Sequence, residues 1–91
     1  MKVLVLYRPN SEHGRVVEEF VHDLESRLSS NARLELINID TRDGSATASL
    51  YDVVQYPAVL VLQNDGYLHK FWQGTDEVPP LLDEVAGFAG A

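Results

Sequence analysis

The chain of 91 residues contains no cysteine. Disulfide bridges, thiolate metal ligands and thiol catalysis are thereby excluded, since each needs sulfur at the bonding or reacting atom. The lack assigns no compartment, because reducing and oxidising environments both hold cysteine-free proteins. Positive charge is scarce too. Seven Lys and Arg stand against fourteen Asp and Glu, a formal net charge of −7. Such a field repels phosphate backbones and anionic lipid, so neither nucleic acid nor membrane is expected as a partner. Long apolar runs are missing as well. The opening Met1-Lys2-Val3-Leu4-Val5-Leu6-Tyr7 is interrupted by Arg8-Pro9-Asn10, too soon for a signal-peptide core or a membrane span. A cytoplasmic chain is expected. With no glycine-rich phosphate loop, dinucleotide fingerprint, carboxylate pair or basic stripe, no cofactor is expected either.

What is present is a hydrophobic content of 45%. That suffices for one small globular domain over residues 1–91, in which folding hides roughly 60–65% of the unfolded surface. Val3–Tyr7 is a continuous apolar run, the pattern of a strand covered on both faces. Glu12–Ser29 predicts a helix, with Val16, Val17, Phe20, Val21, Leu24 and Leu28 on one stripe and Asn10 or Ser11 as its N-cap. Ser29–Asn31 closes it. Arg33–Ile39 predicts a second strand, parallel to the first because the helix between them has the length of a crossover.

A shorter helix is expected over Ala46–Val54, with Ala46, Leu50 and Val53 or Val54 inward. Ala58–Leu62 is a second dense apolar strand. Asn64-Asp65-Gly66 then signals a tight turn into an antiparallel strand over Tyr67–Gln73. The last helix is placed over Asp76–Ala86, with Pro79 and Pro80 in its first turn, where a missing N–H costs nothing. Residues 86–91 are expected to fray, with Phe88 free to dock. The order is β-α-β-α-β-β-α, a four-stranded mixed sheet flanked by three helices.

The stretch Leu36 to Gly74 resembles the C-terminal half of a thioredoxin. Tyr51, Val53, Pro57, Asn64, Gly66 and Gly74 carry the likeness. The resemblance implies a thioredoxin-like α/β fold and puts Pro57 at that family's cis-proline, facing the reactive loop. A proline beside a buried strand surrenders a ladder donor and is otherwise hard to motivate. At the position of the family's Cys-X-X-Cys this chain has Ser11-Glu12-His13-Gly14, and the place of the buried acid falls near Val5. Mixed-disulfide exchange needs a thiolate, and a serine hydroxyl does not replace one at neutral pH.

The resemblance thus implies a redox-inactive domain that binds a peptide or protein. The expected surface is Arg8, Ser11, Glu12, His13, Gly14, Tyr56 and Pro57, since the family's loop before the proline holds extended peptides as an added strand. Arg8 and Arg15 could meet an anion or pair with surface carboxylates such as Glu12 and Glu19. Tyr7 and Trp72 serve either this surface or the core. Two other readings stand beside it. Ser11 at a helix N-terminus could hold a thiol or glutathione. His13 near it invites a nucleophile–base reading, but two residues apart in the first helical turn the pair do not face one another, and only Asp43 or Asp76 is left to orient the ring. Alternatively the chain, a monomer or weak homodimer, is a structural subunit dimerising through the edge strand near Tyr67–Trp72. A metal site built from Glu12, His13, His22 and His69 is not expected, because their spacing does not bring them together.

Overall fold

The computed structural model describes residues 1–28 and 30–89. The chain runs β1 (Lys2–Tyr7), α1 (Gly14–Glu25), β2 (Arg33–Asn38), α2 (Arg42–Leu50), β3 (Ala58–Leu62), β4 (Leu68–Gln73) and α3 (Leu82–Phe88). The strands form one sheet in the order β2-β1-β3-β4. β1 pairs parallel to β2, with Val5 opposite Leu36, and antiparallel to β3, with Val5 opposite Val59. β4 continues the sheet antiparallel to β3. The two central strands are paired along both edges and packed on both faces, which is why Val3–Tyr7 and Ala58–Leu62 are apolar without alternation.

Alternate side chains divide the core in two. Val3, Val5, Tyr7, Val59, Val61 and Trp72 share one face with Val17, Phe20, Val21 and Leu24 of α1 and Val85 of α3. Leu4, Leu6, Ala58, Leu60 and Leu62 share the other with Ile39, Ala48 and Val53. At the β3–β4 turn Gly66 has φ +90°, and Asp65 Oδ1 accepts from the Tyr67 amide at 3.1 Å. That is the left-handed conformation the Asn-Asp-Gly signal implies.

The helix boundaries depart from the sequence expectation. α1 starts at Gly14 with His13 as N-cap and no side-chain cap, because the Ser11 hydroxyl donates to the Arg8 carbonyl instead. It ends at Glu25, and the expected close at Ser29 lies outside the described residues. Val16, assigned above to the inward stripe, is 48% exposed.

α2 begins four residues early, at Arg42. Thr41 caps it, its Oγ1 accepting from the Gly44 amide at 3.0 Å. Gly44 and Ala48 face inward, while Ala46 and Leu50 face solvent, contrary to expectation. α3 begins only at Leu82, so Pro79 and Pro80 precede it rather than fill its first turn. The Tyr56–Pro57 and Val78–Pro79 bonds are both cis. α3 runs to Phe88, whose ring meets Trp72 edge-on at 5.9 Å, and Ala89 is buried; the end of the tail expected to fray, residues 90–91, lies outside the described residues.

Candidate functional site

Two segments meet at one end of the sheet: residues 8–14, leaving β1, and residues 54–57, entering β3. Arg8 links them. Its guanidinium lies 5.9 Å from the centroid of the Tyr56 ring, and its Nε is 3.5 Å from Asp40 Oδ1. Both contacts are exposed and each is worth at most about 1 kcal/mol. They orient Arg8 across the gap rather than anchor the fold.

Inside the first segment the polar groups are turned on the backbone. Ser11 Oγ donates to the Arg8 carbonyl at 2.6 Å, and the Arg8 amide donates to His13 Nε2 at 3.2 Å. The hydroxyl is thus used as a donor and the imidazole as an acceptor, both toward Arg8. They do not form the nucleophile–base pair considered above, and neither Asp43 nor Asp76 is the partner of His13. Burial, and then the charge of Arg8, lower the pKa of His13 from its ordinary value, consistent with a neutral accepting ring. Glu12 is exposed.

Gly14 is buried, and a Cβ there would run into the Pro9 carbonyl oxygen. The loop closes on itself through a backbone approach that only glycine permits. Behind it the Tyr7 hydroxyl donates to Glu18 Oε2 at 2.7 Å, tying β1 to α1. Burial first, then the hydrogen bond and charge of Glu18, push the Tyr7 pKa up to about 12. Tyr7 is a core residue with a polar tip, and not part of the exposed surface.

The second segment presents backbone. Pro57 is fully buried, so it shapes the surface from beneath, and its carbonyl accepts from the Gly74 amide at 2.9 Å. Gln73 Oε1 accepts from the Val54 and Gln55 amides at 3.4 and 3.3 Å. The half-buried Tyr56 directs its hydroxyl to the Val53 carbonyl. Among the described residues, neither the Tyr56 amide nor its carbonyl has a partner. Beside them Val54 is 75% exposed. Of the two valines offered above as inward, Val53 is buried and Val54 lies exposed beyond the end of α2; the places of Val54 and Asp40 depend on how the loops cross. No local pattern marks them.

Other residues singled out above lie apart. His22 is exposed on α1, and His69 is on β4, edge-on to Phe88 at 5.7 Å. Among the described residues no three His, Asp or Glu side chains converge as metal ligands. Arg15 lies beside Glu18 and Glu19 on α1. Trp72 is buried, whereas Tyr67 and Leu68 are exposed at the β4 edge. An open groove of about 580 Å³ lies elsewhere, between α1 and residues 79–83. Among the described residues no helix is long and apolar enough to cross a membrane.

This geometry defines a thioredoxin-like domain, and comparison with solved structures agrees. Thioredoxin 1 from the thermophilic eubacterium Thermosipho africanus TCF52B superposes with a TM-score of 0.71 at 12% identity, covering 99% of this chain and 91% of its own. A designed protein matches with a TM-score of 0.71 at 15% identity, covering 98% of this chain and 72% of its own. A malarial protein matches at 0.68 and 12%, covering 93% of this chain and 94% of its own. At such identities the likeness establishes the fold alone. No protein-family model matches the chain, and no curated protein does either. The chain is a thioredoxin-like fold that contains no cysteine.

Proposed function

We propose that this chain is a redox-inactive binding module. It takes an extended peptide or protein segment across the surface formed by Arg8–Gly14 and residues 54–57. The observation that carries this reading is the Tyr56 backbone, whose N–H and C=O lack partners among the described residues, while the Val54 and Gln55 amides before it and the Pro57 carbonyl after it are engaged. A free donor and acceptor on one residue is what an added strand uses. The exposed Val54 side chain and the Arg8–Tyr56 stack offer apolar and aromatic contact beside it. The lack of any thiol in the chain supports the redox-inactive part of this reading, since thiol–disulfide exchange needs a thiolate. A cytoplasmic location is part of the same proposal.

The test is an amide chemical-shift titration with binders selected from a display library of short peptides. The Tyr56 amide should move downfield and exchange more slowly as it gains a partner, and Tyr56→Ala should weaken binding about fivefold or more. Shifts confined to the opposite end of the sheet would overturn the reading. So would turnover in a glutathione-conjugation assay that Ser11→Ala abolishes.

A further inference from the structure

The groove along α1 shares no residue with the surface just described. Val16, Glu19, Phe20 and Asp23 line one side of it, spaced three and four residues apart on one face of the helix, and residues 79–83 line the other. From Val16 to Asp23 the helix rises about 10 Å, room for three extended residues of a partner. Val16 is 48% exposed and Leu81 75%, so two aliphatic side chains flank an opening that the buried Phe20 also lines. Pro79 and Pro80 give the far wall a restricted backbone.

The rim is acidic. Glu19 and Asp23 stand on the helix side and Asp83 opposite, and the one cation among the lining residues, Arg27, is paired with Asp83. A second copy of the chain would bring the same rim and a net charge of −7. Anionic lipid and nucleic acid are repelled in the same way. From the apolar opening and this charge together, we infer that the groove docks a short basic segment of a partner protein. One aliphatic side chain of that segment sits between Val16 and Leu81, and its Lys or Arg residues face Glu19 and Asp23.

The probe is the end-blocked peptide Lys-Lys-Leu-Lys-Lys, titrated into the full chain and followed by amide chemical shifts. Saturating shifts are expected at Val16, Phe20, Leu81 and Leu82. Leu81→Ser should weaken binding about tenfold. The pair Glu19→Gln with Asp23→Asn should weaken it about two- to tenfold and flatten its salt dependence. Both variants alter exposed side chains and leave the core intact. Glu-Glu-Leu-Glu-Glu should produce no shifts. The inference is overturned by a lack of saturation, by equal binding of the acidic peptide, or by shifts confined to Arg8–Gly14. It is also overturned if light scattering finds a dimer that Leu81→Ser dissociates, since the occupant is then a second copy.

Discussion

At the scale of single residues, Gly14 fixes the path of the loop that the candidate surface depends on. Two effects oppose one another when it becomes alanine. Helix propensity favours Gly14→Ala by about 1 kcal/mol. Against this, the new methyl meets the carbonyl of Pro9, which is backbone and cannot rotate away. The clash wins, and a net loss of about 1–3 kcal/mol is expected, read as a lower urea midpoint. An unchanged midpoint would mean that the loop repacks without cost. His13 gives a second test. The fold keeps its ring neutral and its pKa below the ordinary 6.5. As pH falls below 6.5 the unfolded chain takes up the proton more readily than the folded one, so stability should fall with pH there and be flat above. His13→Gln, followed by urea unfolding at several pH values, should remove that part of the slope.

At the scale of elements, Trp72 shows how far a strand can be read from its sequence. It lies on β4, an edge strand, yet it packs inward against Phe88 of α3, with the Lys70 ammonium 5.5 Å from its ring. Trp72→Ala should cost about 3–5 kcal/mol by leaving a cavity, without altering the association state measured by light scattering. Association through the β4 edge would instead be sensed at Tyr67 and Leu68. The central strands and α1 were legible because their buried side chains are large and their spacing is regular. α2 was displaced because its inward residues are Gly44 and Ala48, which leave no apolar periodicity, and Asp43-Gly44 has the composition of a turn. The start of α3 is not legible, because paired prolines are as compatible with the approach to a helix as with its first turn. Of the candidate surface, the Tyr56–Pro57 step was visible as a motif. The contact of Gly14 with Pro9, the Arg8–Tyr56 stack and the α1 groove depend on how separate segments approach, and no local pattern carries that.

At the scale of the whole molecule, the two faces of the sheet are unequally covered. One is closed by α1 and α3, which place Val17, Phe20, Val21, Leu24 and Val85 against it. The other is closed by α2, whose buried residues are only Gly44 and Ala48, with Ile39 and Val53 filling beside it. Glycine and alanine remove little apolar area from water, so α2 is held by less hydrophobic stabilisation than the opposite helices. Its opening should require less free energy than that of β1 and β3, which are paired along both edges. Native-state hydrogen exchange should therefore show α2 amides exchanging about tenfold or more faster than those of β1 and β3. Equal rates would indicate that the molecule opens only as one unit. The difference bears on binding, because α2 leads through Tyr51–Gln55 into the segment that presents the Tyr56 backbone, and the Tyr56 hydroxyl holds the Val53 carbonyl. A ligand that pairs with Tyr56 binds only while this connection is formed. It should then slow exchange throughout α2 while leaving α1 and α3 unchanged, in proportion to its occupancy of the closed state.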